Sequence, residues 1–69
     1  MIKMDILDYG IHCEGKHIAD FDDLDLAKGS AHAIAEIKEA STIIINNFTG
    51  EIVAEFVVKF RAEVVEVEP

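Results

Sequence analysis

The sequence predicts an α+β fold with the element order ββαββ, in which one helix packs on one face of a four-stranded antiparallel sheet. Three observations predict this fold. Polar and apolar residues alternate near the N terminus, an alanine-rich segment of helical spacing follows, and β-branched residues then flank a four-residue turn. Two hairpins separated by a helix are typical of the α+β class rather than of a wound parallel sheet.

The first hairpin is predicted within residues 1–21. Apolar and polar side chains alternate over residues 2–6, which is the period of a strand with one buried face. Residues 11–13 continue this strand. Residues 14–16, Glu-Gly-Lys, predict a turn before a second short strand at 17–21.

The helix is predicted to begin at Asp22 and Asp23, because aspartate caps a helix N terminus and its charge suits the helix dipole. Gly29 interrupts the pattern, and glycine costs about 1 kcal/mol relative to alanine inside a helix. We therefore expect a short first turn at 23–28 and a main helix at 30–40. The apolar stripe that would face the sheet consists of Leu24, Leu26, Ala27, Ala31, Ile34 and Ile37.

The second hairpin is predicted from the turn at 47–50, Asn-Phe-Thr-Gly. Asparagine favours the start of a type I turn, and Gly50 can close it in the left-handed region at no steric cost. Four-residue hairpin loops are commonly built around such a turn. The turn would bring Ile45 opposite Ile52.

The strand register follows if Asn46 stands opposite Glu51. Ile43 would then meet Ala54, whereas a slip of one residue would place Glu55 opposite Ile43. Hydrophobic matching favours the first register. The sheet face beneath the helix is then predicted to hold Ile43, Ile45, Ile52, Ala54, Phe56, Val58 and Phe60.

The C-terminal segment 51–67 is rich in β-branched residues, although its apolar spacing would also fit a helix. As one strand it would span about 56 Å at roughly 3.3 Å per residue, which exceeds the diameter of about 28 Å expected for a compact domain of this size. We therefore predict a strand at 51–60. The remainder must bend, extend freely or pair with another chain, so residues 62–69 are an expected extended tail or dimer arm.

Length and composition limit the kinds of protein that this chain can be. The 69 residues predict a single small domain, 1–69, and the formal net charge of −8 comes from fourteen acidic and six basic residues. This balance disfavours direct binding to nucleic acid or to an anionic membrane. The absence of a signal-peptide pattern and of a long apolar run, together with a lone cysteine, predicts a cytoplasmic protein.

Four aspartates near the helix start form the most acidic part of the chain. An EF-hand loop beginning at Asp20 would need glycine at its sixth position and glutamate at its twelfth, where Asp25 and Ala31 stand. The calcium motif therefore fails, and helix capping and solvation explain the cluster more simply. A sharper interpretation is an acidic surface that meets a basic partner, formed by Asp20, Asp22, Asp23 and Asp25.

Neither a metal site nor a catalytic site is predicted. The set His12, Cys13, His17 and His32 lacks the paired, short spacing of structural zinc ligands. A nucleophilic Cys13 would need a neighbouring base, and His17 lies across the predicted turn. A chain this short leaves little room for a substrate cleft, so no enzyme activity, metal or cofactor is expected.

The sheet face opposite the helix is the predicted functional surface. Apolar residues there, rimmed by charges, are typical of association surfaces, although single exposed apolar residues are common on any protein. We predict a non-enzymatic interaction module that binds another protein and forms a homodimer through its sheet. The alternatives are a phage-type inhibitor whose acidic surface occludes a nucleic-acid-binding protein, and a small enzyme or metal protein using Cys13 and His17. The predicted interface residues are Ile44, Val53, Val57, Val65 and Val67.

Overall fold

The structure, a computed structural model, describes residues 7–59 and 63–68 of the chain. It has the predicted α+β class, with one helix packed on one antiparallel sheet, but the sheet has five strands rather than four. Within these residues, no helix combines the length and apolar character needed to cross a membrane. The elements are β1 (Tyr9–Cys13), β2 (Lys16–Phe21), α1 (Leu24–Lys38), β3 (Thr42–Asn46), β4 (Ile52–Lys59) and β5 (Glu63–Val67), and the strands lie across the sheet in the order β2-β1-β3-β4-β5.

The first hairpin joins β1 to β2 at Glu14 and Gly15, whose φ angles are positive at 52° and 79°. Positive φ at both positions suits the right-handed twist of the flanking strands. The predicted turn at 14–16 and the strand that follows it are thus confirmed, with β2 starting one residue earlier. The alternating residues 2–6 lie outside the described part of the chain.

A β-bulge distorts the first hairpin. Ile11 pairs with Ala19, but the next residue, His12, pairs with His17, which leaves Ile18 without a partner in the ladder. An extra residue in one strand reverses the alternation of side chains beyond it. As a result, His17 lies on the same side of the sheet as His12.

The helix α1 is continuous. Asp23 caps it as predicted, because its Oδ1 accepts a hydrogen bond of 2.8 Å from the backbone N–H of Asp25. The predicted break at Gly29 is wrong, since the helix passes through this residue to Lys38. The cost of about 1 kcal/mol for glycine is smaller than the gain from packing the adjoining turns on the sheet.

The buried side of α1 is narrower than predicted. Ala27, Ala31 and Ala35 are fully buried, and their small side chains let the helix approach the sheet closely. Leu26 and Ile37 are 59% and 81% exposed, so their predicted place in the core is wrong. Each lies about 100° or more around the helix from the line of alanines.

The turn of the second hairpin at residues 47–50 is confirmed, but the asparagine whose side chain caps it is Asn46 and not Asn47. Gly50 has a φ of 80°, and its N–H donates a 2.7 Å hydrogen bond to the carbonyl oxygen of Asn46. Asn46 Oδ1 accepts further bonds from the N–H groups of Phe48 and Thr49, at 2.9 and 3.2 Å. Asn46 stands opposite Glu51 as expected, with a 2.8 Å bond from its N–H to the Glu51 carbonyl oxygen.

Beyond this turn, a second bulge changes the register. Ile45 pairs with Ile52 as predicted, but the next pair is Ile44 with Ala54, which leaves Val53 unpaired in the ladder. The pairing that was predicted between positions 43 and 54 is therefore wrong. Hydrophobic matching alone predicted the wrong register for residues 42–44, because it assumed that the ladder has no bulge.

Because of this bulge in β4, the residues of β3 lie on the faces opposite to those predicted. Ile44 and Thr42 lie beneath the helix with no exposed surface, and Thr42 Oγ1 donates a 3.0 Å hydrogen bond to the carbonyl oxygen of Ala31. Ile43 and Ile45 consequently point to the other side, and Ile43 pairs with Glu55. The buried core is formed by Ile11, Ala27, Ala31, Ala35, Ile44, Ala54 and Phe56. The core prediction is confirmed for Ala54 and Phe56, and Val58 packs half-buried against the core. It is wrong for Ile43, Ile45 and Ile52, and Phe60 lies outside the described residues.

The C-terminal strand prediction is confirmed for β4. The chain then returns as β5, which pairs antiparallel with β4 so that Val65 stands opposite Val57. Of the three alternatives for the remainder of the chain, residues 63–67 take the first, because the chain turns back and these residues pair with β4 instead of forming a free tail. An ion pair of 3.0 Å between Lys28 Nζ and Glu66 Oε2 also links this strand to the helix.

Candidate interaction surface

The sheet face opposite α1, called the open face below, has a polar half and an apolar half. No helix or strand among residues 7–59 and 63–68 lies over it. The cross-strand register places five of its residues in one row that crosses every strand. In order from β2 to β5, this row is His17, His12, Ile43, Glu55 and Val67.

The polar half is organised by Asp20. Its Oδ1 accepts a hydrogen bond from His17 Nε2 at 2.9 Å and another from Asn47 Nδ2 at 2.9 Å. Asn47 Nδ2 also donates to the carbonyl oxygen of Leu7 at 2.8 Å, and Asn47 N–H donates to that of Asp8 at 2.8 Å. The turn of the second hairpin is thereby fastened to the end of β2 and the start of β1.

Gly10 makes room for this network. A Cβ atom at position 10 would lie 2.7 Å from Asn47 Oδ1 and 3.2 Å from Asp20 Oδ1. The first distance is too short for any real contact, so a larger residue would displace the Asn47 side chain. A residue other than glycine would therefore force the Asn47 side chain, and with it the hydrogen bond to Asp20, to move.

The charge state of the network is biased toward ionised Asp20. The hydrogen bond from His17 lowers the pKa of Asp20, partial burial opposes that shift, and the bond from Asn47 and the positive charges of His17 and His12 support it. The His12 and His17 rings meet edge to face, with centroids 5.2 Å apart. The polar half therefore presents two imidazoles beside one anchored carboxylate.

The apolar half consists of aliphatic side chains from β3, β4 and β5. Ile43, Ile45, Val57 and Val65 are half-buried. A sheet face that meets only water usually alternates to polar residues, and this half does not. Ile52 and Val67 extend it with exposed fractions of 46% and 42%.

Glu55 interrupts the apolar half. It is half-buried and stands between Ile43 and Val67 in the cross-strand row. Within the described stretch it forms no ion pair. Any partner that covers this face must therefore supply a positive charge or a hydrogen-bond donor at this point.

The structure divides the predicted interface residues between the two faces. Ile44 is fully buried against the helix and Val53 packs on the core, so their predicted place on the association face is wrong. Val57, Val65 and Val67 do lie on the open face. Sequence reasoning missed Ile43, Ile45, Ile52 and the polar residues His12, His17 and Asn47, which the two bulges and the turn bring to this side.

The four aspartates of the predicted acidic surface have different surroundings. Asp20 belongs to the network of the open face, and Asp23 caps the helix. Asp22 and Asp25 are exposed. At least two of the four carboxylates therefore have partners within the fold.

Cys13 lies on the helix side of the sheet and is 3% exposed. It pairs with Lys16, while His17 pairs with His12 on the opposite face, so His17 does not approach Cys13 as the catalytic alternative would require. A cavity of about 280 Å³ adjoins the thiol and is lined by Cys13, Glu14, Lys16, Ile18 and Lys38. Among the residues that the structure describes, no three His, Cys, Asp or Glu side chains converge as a metal site would require.

Comparison of the chain with protein-family models, with curated proteins and with solved structures finds no match. The open face is therefore interpreted from its own residues. Two properties distinguish it from the rest of the described surface. It gathers six aliphatic side chains that are not fully buried, and a single half-buried carboxylate stands within it.

Proposed function

We propose that this chain is a small, acidic, non-enzymatic interaction module that associates with itself through the open face. One observation carries the proposal: aliphatic side chains of three adjacent strands line a sheet face over which no described helix or strand lies. Contiguous apolar surface with a polar border is typical of protein interfaces. A symmetric dimer is the commonest assembly for such a self-complementary surface.

The size of the open face sets the expected strength of association. Five strands spaced by about 4.8 Å, with about five residues each at about 3.3 Å, give a planar footprint near 20 Å by 17 Å. Stable dimers commonly bury about 800 Å² of accessible surface per partner. The planar footprint indicates an interface at the small end of this range, where weak and transient complexes are found. We therefore propose association in the micromolar range.

The net charge of −8 opposes association of two copies. At physiological ionic strength, screening limits this repulsion to a range of about 8 Å. The charges that matter most are therefore those at or beside the interface. On the apolar half these are Glu55 and, at the end of β4 and β5, the cross-strand pair Lys59 and Glu63. On the polar half they are Asp20, His12 and His17.

The test is a substitution at the centre of the open face. Ile43→Lys places a charge in the middle of the proposed interface, and Ile37→Lys places the same charge on the exposed side of the helix. Sedimentation equilibrium from about 5 to 500 µM covers the micromolar range. We expect the wild type and Ile37→Lys to dimerise, and Ile43→Lys to remain monomeric.

Two results contradict the proposal. One is a wild-type chain that stays monomeric throughout this concentration range. The other is a dimer that Ile43→Lys leaves unchanged, which would locate the interface elsewhere. Circular dichroism of each variant checks that the loss of dimer is not a loss of fold.

A further inference from the structure

We infer that two copies pack their open faces together about a two-fold axis that runs along β3, so that His12 of each copy lies against Glu55 of the other. This inference rests on the proposed self-association and specifies its geometry. It commits to a second copy of this chain as the occupant of the open face. The chemistry that selects this occupant is the pairing of an imidazole with a carboxylate.

The cross-strand row supplies the geometry. His12 on β1 and Glu55 on β4 flank Ile43 on β3, each one strand away. Neighbouring strands are about 4.8 Å apart, so these two side chains lie at nearly equal distances on either side of β3. A two-fold axis along β3 exchanges the two sides and brings β1 of one copy over β4 of the other.

In this arrangement Ile43 meets Ile43 of the second copy on the axis. His12 then lies over Glu55 twice, once on each side. The second copy thus removes water from the carboxylate of Glu55 and also supplies an imidazole as its partner. Without such a partner, covering Glu55 would be costly, because a buried charge needs compensation.

Other two-fold axes produce unfavourable contacts. An axis that crosses the strands along the row places His12 over His12 and Glu55 over Glu55. An axis along β4 places Glu55 directly over its own copy. Like charges that are juxtaposed in an interface are unfavourable, which disfavours both of these axes. An axis between β1 and β3 would pair Glu55 with His17, but it would place Ile43 over His12. The axis along β3 combines an imidazole–carboxylate contact with contact between the two copies of Ile43, and it lays Val67 over His17.

The twist of the sheets is compatible with this contact. Two sheets that pack face to face cross at about 30°. At one strand from the axis, a rotation of that size displaces a residue by about 2.5 Å. His and Glu side chains can absorb this displacement, whereas residues at β2 and β5 move further apart.

The pairing also makes association sensitive to pH. A carboxylate in contact with an imidazole favours the protonated form of the imidazole. The groups that face His12 within its own copy are His17 and Asp20 from β2 and the apolar Ile43 from β3. The contact with Glu55 of the second copy couples dimerisation to proton uptake, so the dimer should tighten as the pH falls from about 8 to about 6.

The decisive test uses two variants that should each prevent dimerisation and restore it when mixed. His12→Glu places two carboxylates against each other across the axis, and Glu55→Lys places a lysine against His12. In a mixture, the two substituted side chains face each other with opposite charge, while the two native side chains of the second contact also meet. Ile37→Glu and Glu36→Lys are matched controls, because they introduce the same side chains on the exposed part of α1.

We expect each open-face variant alone to weaken dimerisation by roughly tenfold or more at about pH 6. We expect the equimolar mixture to regain the dimer mass in sedimentation equilibrium, and the control variants to behave as wild type. If His12→Glu does not fold, His12→Gln tests the same contact, since it should abolish the tightening between about pH 8 and about pH 6.

Each contrary outcome has a distinct meaning. If Ile43→Lys is monomeric but His12→Glu and Glu55→Lys dimerise as wild type, the interface stands and the axis is overturned. The axis is also overturned if both variants are monomeric and their mixture stays monomeric. If the wild type itself is monomeric, the proposed self-association fails and this inference fails with it.

Discussion

The two faces of the sheet carry similar β-branched side chains in different surroundings. Beneath the helix, Ile44 and Thr42 have no exposed surface, because three alanines of α1 lie directly on them. On the open face, Ile43 and Ile45 are half-buried and no described helix or strand covers them. Three consecutive isoleucines thus contribute to two different surfaces, and the bulge at Val53 decides which of them is core.

The largest expected effect contrasts adjacent residues on the two faces. Phe56 is 3% exposed beneath the helix, and Phe56→Ala should cost about 3–5 kcal/mol, which would unfold most molecules of so small a domain. Val57→Ala on the open face should cost about 1 kcal/mol or less in the monomer. Urea denaturation of dilute protein measures both. Equal losses would mean that the open face is as closely packed as the core.

The next effect concerns the polar half of the open face. Gly10→Ala should displace the Asn47 side chain and destabilise the fold by about 1–2 kcal/mol, the value of the hydrogen bonds that are lost. Asn47→Ala removes the clashing Oδ1 atom. In the Asn47→Ala background the further cost of Gly10→Ala should be much smaller. Strictly additive losses in thermal or urea unfolding would refute the proposed close approach.

Substitution of two glycines by alanine should change the free energy of unfolding in opposite directions. Gly50→Ala should destabilise by about 1 kcal/mol, because alanine is strained at a φ of 80°. Gly29→Ala should stabilise by about 1 kcal/mol, because its added methyl group meets no atom within 4 Å and favours the helix. A shift of both denaturation midpoints in the same direction would contradict this assignment.

The smallest effect is the pH dependence carried by Asp20. Since its folded pKa is lowered, its contribution is present above the unfolded value of about 3.9 and is lost as the pH falls through the folded value. The side chain is substantially exposed, so the contribution should stay below about 1 kcal/mol. Asp20→Asn should be less stable than wild type at about pH 6, and the difference should shrink at about pH 3. A constant difference would show that ionisation of Asp20 is irrelevant.

Several elements could be predicted from the residue types of short segments. The turn closed by Gly50, the cap at Asp23 and the strand that became β4 each depend on the chemistry of neighbouring residues. Such features are fixed by backbone sterics, dipoles and β-branching, which short segments reveal. The α+β class followed from their order along the chain.

The bulges at Ile18 and Val53 could not be predicted in the same way, because the neighbouring strands determine where an extra residue is accommodated. The bulges changed the predicted candidate site more than the predicted fold. Because Val53 is unpaired, Ile44 lies in the core and Ile43 lies on the open face, the reverse of the prediction. The return of β5 was missed because Val64, Val65 and Val67 had no predicted place in the core. In the structure only Val64 packs against the core, and Val65 and Val67 lie on the open face.

The central claim is that the open face is the association surface, and methyl NMR of a dilution series tests it most directly. With ¹³C-labelled isoleucine and valine methyl groups, we predict that dilution from millimolar to micromolar protein shifts the signals of Ile43, Val57 and Val65. The signals of Ile44, beneath the helix, and of Ile37, on its exposed side, should stay nearly constant. Concentration-dependent shifts centred on Ile37, or no shifts at any concentration, would contradict the account.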